Sequence, residues 1–202
     1  MKHLFYTASA LLVSLALQAQ PKEWEDQRVN QINREPIHAH FVPYSSEKGA
    51  LHKDISKEQR YSLNGTWKFY YAKNPASRPA TFYEEGYDVT DWKDIEVPGS
   101  WELQGFDAPI YTDTRYPFPA EPPHVPTDYN PVGSYVTTFT VPADFKGKDI
   151  LLNFGGVESA YYCWINGHFV GYAEDSRLPS EFLINKYLKS GENTLAVEVY
   201  LH

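Results

Sequence analysis

The chain has 202 residues, with 18 basic and 26 acidic side chains and a formal net charge of −8. Hydrophobic residues make up 42% and aromatic residues 16%, so a core can form, and 15 prolines and 12 glycines favour short strands joined by turns over long helices. An acidic chain without clustered lysine and arginine argues against a nucleic-acid partner, and the single cysteine, Cys163, excludes an intrachain disulfide and a cysteine-based metal cluster.

The first 19 residues have the pattern of a secretory signal peptide. A polar start at Lys2 and His3 precedes an apolar run over 4–17, and Ala19 supplies the small residue at the cleavage position. The run is too short to span a bilayer comfortably, and no second apolar run follows it. We therefore expect an exported chain, periplasmic or secreted, without a membrane span. A buried first helix is the alternative interpretation.

Residues 20–60 are polar and predict an irregular N-terminal arm. Within the arm, side chains at a spacing of four predict a short helix over 24–32, which Pro36 would end. His38 and His40 would place two imidazoles on one side of an extended chain. They are either part of a metal site that needs a third ligand or two polar side chains of the arm.

After the arm, apolar residues recur with a period of two, which is typical of strands. The predicted strands cover 63–71, 95–97, 134–141, 149–154, 159–165, 168–172 and 194–201, and 182–188 is either a helical turn or a short eighth strand. Asn166-Gly167 is a strong hairpin signal. In the last strand, alternation places Leu195, Val197, Val199 and Leu201 inward. Without a long helix between them, these strands predict an all-β fold over 61–202, an antiparallel β-sandwich of jelly-roll type.

The segment 105–133 interrupts the strands and is rich in proline and aromatic residues. Proline removes a hydrogen-bond donor from a strand, so we predict an ordered loop rather than sheet. Asp107 and Asp113 lie among the aromatic residues of this loop. Aromatic rings stack on sugar faces and carboxylates accept hydrogen bonds from sugar hydroxyls, so a carbohydrate site is one interpretation. A loop that is only packed on its aromatic residues is the other.

Other candidate residues are less specific. Cys163 alternates with aromatic residues in a predicted strand, which indicates a small buried side chain rather than a nucleophile. Glu174 and Asp175 are adjacent and would point in opposite directions, so they make a poor catalytic pair, and Asp175 with Arg177 is more simply an ion pair or a loop brace. Asn64 lies in a glycosylation sequon but is better interpreted as a turn residue.

Many short motifs occur in one order along the chain. They are QINR at 31–34 with His38, SLNGTWKF at 62–69, VP at 97–98 with Trp101, GFDAPIYT at 105–112, YP at 116–117, PP at 122–123, VP at 125–126, NPVGSY at 130–135, FGGVESAYYCWINGHFVGYAEDSRLPSEF at 154–182, and GEN with LAV at 191–197. Through these motifs, residues 22 to 200 resemble the N-terminal region of β-galactosidases of glycoside hydrolase family 2.

The resemblance implies a jelly-roll, galactose-binding-domain-like fold that leans on a (β/α)₈ barrel. The catalytic glutamates of the family, its magnesium ions and a sodium ion would belong to parts of the enzyme beyond residue 202, so we expect the chain to be cut from a longer protein, with no catalytic residue or metal site of its own. The segment 111–116 would contact the galactosyl group. Its Asp113, the expected substrate-binding residue, stands where the family usually has asparagine, so it can accept but not donate a hydrogen bond, or sit near a cation.

Three functions remain open at this point. The chain is the sugar-binding domain of an exported, retaining β-galactosidase, inactive by itself and part of a homo-oligomer in the full enzyme. Alternatively, it is a free-standing carbohydrate-binding module, or a structural domain that holds the barrel and the oligomer together. In relatives the N-terminal arm contacts other subunits, and the arm over 22–60 would do the same here.

Overall fold

The computed structural model describes residues 23–110, 118–119 and 121–201. This part of the chain contains nine strands and one short α-helix. In chain order they are β1 (Gln31–Ile32), α1 (Glu47–His52), β2 (Gly65–Ala72), β3 (Lys93–Val97), β4 (Val132–Thr140), β5 (Leu151–Phe154), β6 (Ala160–Ile165), β7 (His168–Glu174), β8 (Ser180–Leu183) and β9 (Glu192–Tyr200). No helix in these ranges is long and apolar enough to cross a membrane.

The strands form two sheets in which every pairing is antiparallel. Seven strands make the large sheet in the order β1-β7-β6-β9-β4-β2-β3, and β5 pairs with β8 in a small sheet. The inner faces of the two sheets share one core, to which Leu195, Val197 and Val199 of β9 and Phe182 of β8 contribute. The predicted fold class, an all-β antiparallel sandwich, is confirmed.

The second face of the large sheet is also covered. The ring of Trp24 stacks on Tyr200 at 4.1 Å, and Tyr83 stacks on Trp164 at 4.6 Å. As a result β9 is buried on both faces from Leu195 to Tyr200. The period-two pattern gave the inward residues of β9 correctly but did not indicate that the opposite face would be covered.

The predicted helix over 24–32 is wrong. A single 3-10 turn covers Glu23–Glu25, and the chain then extends as β1, which pairs with the edge strand β7. Asn33 ends β1 with a positive φ of 60°, and its side-chain amide donates to the carbonyl of Val170 at 2.9 Å. The edge of a sheet offers unpaired backbone groups, and pairing with them outweighs a weak local helix preference.

Most other predicted strands are present with small shifts in their ends. Asn166 and Gly167 both have positive φ, 51° and 79°, as a tight hairpin between β6 and β7 requires. The segment predicted as either a helical turn or a strand contains both, since β8 ends at Leu183 and a 3-10 turn covers Asn185–Tyr187. Local turn and alternation signals were therefore sufficient to locate the sandwich strands.

Candidate functional site

The proline-rich segment leaves and rejoins the sandwich at one carboxylate, that of Asp107. Its Oδ2 accepts hydrogen bonds from the hydroxyl of Tyr71 at 2.6 Å and from the hydroxyl of Tyr129 at 2.9 Å. Its Oδ1 accepts from the backbone amide of Ala108 at 2.8 Å. Tyr71 belongs to β2, whereas Tyr129 lies shortly before β4. One side chain thus joins both ends of the segment to the sheet.

Aromatic packing fixes the position of this carboxylate. Phe106 lies edge-on to Phe69 at 4.6 Å, and Trp101 lies edge-on to Tyr71 at 6.1 Å. Gly133 in β4 makes the approach of Trp101 feasible, because a Cβ there would lie 2.5 Å from the Trp101 ring. The start of the segment therefore packs on the sandwich core itself.

The two tyrosines remain protonated donors at neutral pH. Burial raises the pKa of Tyr71 above its ordinary value, and the neighbouring Asp107 carboxylate raises it further. The pKa of Tyr129 is raised for the same two reasons. A phenol beside a carboxylate gains nothing from ionisation, so both hydroxyls keep donating to Asp107.

Asp113, the residue expected to bind substrate, lies outside the described residues, and its role stays a prediction. Asp107, the other carboxylate of the loop, is half-buried, and both of its oxygens accept hydrogen bonds within the chain. The geometry favours Asp107 as an internal anchor of the loop over Asp107 as a sugar ligand.

The two histidines of the arm are not brought together with a third metal ligand. His38 Nε2 lies 2.9 Å from Glu181 Oε2, and its Nδ1 lies 2.8 Å from the carbonyl of Ala39; these contacts raise the pKa of His38, the carbonyl most. Asn153 donates to the other oxygen of Glu181 at 2.8 Å. In the ranges that the structure describes, no three histidine, cysteine or acidic side chains are placed to hold a metal ion. His38 ties the arm to the small sheet.

Cys163 and Asp175 have structural roles. The thiol of Cys163 is fully buried, and burial raises its pKa, so it is not an activated nucleophile. Asp175 braces its loop by accepting from the backbone amide of Arg177 at 3.2 Å. The guanidinium of Arg177 instead faces Glu158 at 3.8 Å. The predicted loop brace is present, but it uses the backbone of Arg177 rather than its charge.

Sequence analysis missed a buried ion pair on the second face of the large sheet. Glu198 in β9 is only 4% exposed and meets the guanidinium of Arg78 at 3.1 Å. The hydroxyl of Tyr200 donates to the same carboxylate at 2.6 Å. A charged residue between valines in the last strand was the available signal, but its partner lies 120 positions away.

Residues 60–202 match the family described as glycosyl hydrolases family 2, sugar binding domain. The chain therefore belongs to glycoside hydrolase family 2. It is 47% identical over 184 residues to a β-galactosidase of Priestia megaterium, and the match covers 88% of this chain and 18% of that protein. It is 46% identical over 179 residues to a β-galactosidase of Halalkalibacterium halodurans, with 87% and 18% covered. The chain thus spans less than a fifth of the length of these two relatives.

Solved structures give the same fold. A β-glucuronidase of Bacteroides uniformis matches with a TM-score of 0.52 and 25% identity, covering 70% of this chain and 14% of that one. A β-glucuronidase of Bifidobacterium dentium matches with a TM-score of 0.51 and 24% identity, covering 68% and 19%. These likenesses are to a short part of much longer chains, and they support the sandwich architecture.

Proposed function

We propose that this chain is the sugar-binding domain of an exported, retaining β-galactosidase that hydrolyses terminal β-D-galactosides in carbohydrate catabolism. The observation that carries the proposal is the identity of 41–47% to proteins named β-galactosidase across nearly the whole chain. The similar structures named β-glucuronidase are only 22–25% identical. The substrate class is therefore taken from the β-galactosidases.

In this proposal the hydrolytic chemistry belongs to the rest of the protein. Retaining hydrolysis needs two carboxyl groups about 5 Å apart, one of them free to attack the sugar. Asp107 is engaged by two tyrosines, and Glu198 is buried against Arg78. The described residues also lack a donor set for magnesium or sodium, so those ions would be held elsewhere in the enzyme. This domain would orient the galactosyl group and exclude water from one side of the pocket.

The whole protein is expected to hydrolyse a chromogenic β-galactoside and to leave the matching β-glucuronide untouched. The 202-residue chain alone is expected to show no turnover of either. Proton NMR of the first product should show the β-anomer, since retention preserves the configuration. A preference for the glucuronide, or turnover by the 202-residue chain, would contradict the proposal. Tight galactose binding by the isolated chain in calorimetry would favour a free-standing module instead.

Replacing Asp113 by alanine in the whole protein is expected to raise KM for a galactoside by about tenfold, because one hydrogen bond from a charged acceptor to a sugar hydroxyl is worth about 1.5–3 kcal/mol. Asp113→Asn, which keeps an acceptor, should stay closer to the wild type. Glu84→Ala, at an exposed carboxylate, is the matched control. An unchanged KM for Asp113→Ala would favour a purely structural domain.

A further inference from the structure

We propose that Asp107 is a positioning residue for galactoside binding, which acts by holding together the two ends of the segment 108–128. The inference rests on the proposed function, because it affects turnover only if this segment meets the sugar. Asp107 itself does not touch substrate in this proposal. It acts through Tyr71 and Tyr129, whose hydroxyls both donate to its Oδ2.

The three residues come from separate parts of the chain. Tyr71 is 36 positions before Asp107 and lies in β2, whose neighbours Phe69 and Ala72 are buried in the sheet. Tyr129 is 22 positions after Asp107, where the chain returns to the sheet. Nearby, the side-chain amide of Asn74 donates to the carbonyl of Asp128 at 3.4 Å. The departing and returning strands of the segment are thereby joined to one rigid strand.

This geometry limits the conformations open to the residues between the two ends. A segment with fixed ends has fewer conformations to lose when it binds a ligand than one tethered at a single end. Ordering that is already present in the free protein appears as tighter binding rather than as a faster chemical step. The expected signature of losing the anchor is therefore a higher KM with an almost unchanged kcat.

The carboxylate is suited to this task in a way that its amide is not. Asp107 accepts three hydrogen bonds and donates none. An asparagine has one acceptor oxygen and a donor NH₂ group, so it can satisfy either the two tyrosine hydroxyls or the amide of Ala108, but not both. Asp107→Asn therefore weakens the anchor with almost no change in side-chain volume.

The test compares three variants of the whole protein. Asp107→Asn and the double variant Tyr71→Phe/Tyr129→Phe remove the anchor from its two sides. Tyr70→Phe is the matched control, since Tyr70 lies on the same strand, is 40% exposed and points to the opposite face, against Trp92. We expect a rise in KM of about tenfold for the first two variants, with kcat within about twofold of the wild type, and no change for the control.

A second readout is independent of activity. Arg115 is the only lysine or arginine between 108 and 128 in the sequence, so tryptic cleavage after it reports on this segment alone. Cleavage should be faster in both anchor variants than in the wild type and Tyr70→Phe. An unchanged KM or an unchanged cleavage rate in an active protein would overturn the inference. If the wild type does not hydrolyse galactosides, the proposed function fails, and an unchanged cleavage rate would then overturn the anchor separately.

Discussion

Replacing Arg78 by alanine is expected to destabilise this domain by about 3–5 kcal/mol at neutral pH, because removing one partner leaves a buried charge uncompensated. The side chains of Arg78 and Glu198 are only 15% and 5% exposed. The Nε of Arg78 lies 3.1 Å from both oxygens of Glu198, and its Nη1 donates to the carbonyl of Pro75 at 2.7 Å. After the substitution Glu198 keeps only the hydroxyl of Tyr200 as a printed partner.

The loss caused by Arg78→Ala should depend on pH. Burial raises the pKa of Glu198, while Arg78 pulls it down, and burial is the larger effect. Without Arg78 the pKa of Glu198 rises further, so the carboxyl is more easily protonated in the folded state than in the unfolded state. A folded-state pKa above the unfolded value gives stability that is present at low pH and is lost as the pH rises through the folded pKa. Arg78→Ala should therefore be less damaging at pH 5 than at pH 8.

Urea-induced unfolding of wild type and variant at pH 5, 6.5 and 8 would measure this difference. Lys68→Ala is the control, because it removes the exposed ion pair with Asp94, which should contribute no more than about 1 kcal/mol. Adding Glu198→Gln to Arg78→Ala should recover part of the loss at pH 8, since the buried charge is then gone. Equal losses at pH 5 and pH 8 would show that the charge of Glu198 does not cause the effect.

The parts of the fold that local patterns determine could be predicted from sequence. Asn166-Gly167 forms the hairpin turn because glycine and asparagine tolerate the positive φ that a tight turn needs. Cys163 is buried as expected, because it alternates with large aromatic residues in β6. Both signals involve only neighbouring positions, so no knowledge of the tertiary structure was needed to use them.

The parts that depend on distant partners could not be predicted. Trp24 looked like part of a helix, but it stacks on Tyr200 at the other end of the described chain. Asp107 stood out as a carboxylate among aromatic residues, which suited a sugar ligand. Its contacts with Tyr71 and Tyr129, 36 and 22 positions away, give it a different task. A loop carboxylate that binds sugar and one that binds tyrosine look the same in sequence.

Gly171 is a further position whose importance appears only in the folded chain. It lies in β7, opposite Cys163 of β6, and its φ is not in the positive region, so alanine would meet no backbone strain there. However, a Cβ at this position would collide with Cε1 of Phe182 and lie 2.6 Å from the carbonyl oxygen of Ile32. Phe182 is 1% exposed in the core between the sheets, and Ile32 belongs to β1, so neither has free space to move into.

Gly171→Ala is therefore expected to destabilise the domain by about 3 kcal/mol, the upper end of the usual loss from overpacking. Urea-induced unfolding would measure the loss. Gly155→Ala is the matched control, since Gly155 also has an ordinary φ and nothing lies within 4 Å of its added Cβ; its effect should stay within about 0.5 kcal/mol. Phe182→Leu frees space at the same contact, so the double variant should lose less than the sum of the two single losses. Equal stabilities for Gly171→Ala and Gly155→Ala would mean that β8 does not pack against β7 as closely as this sandwich requires.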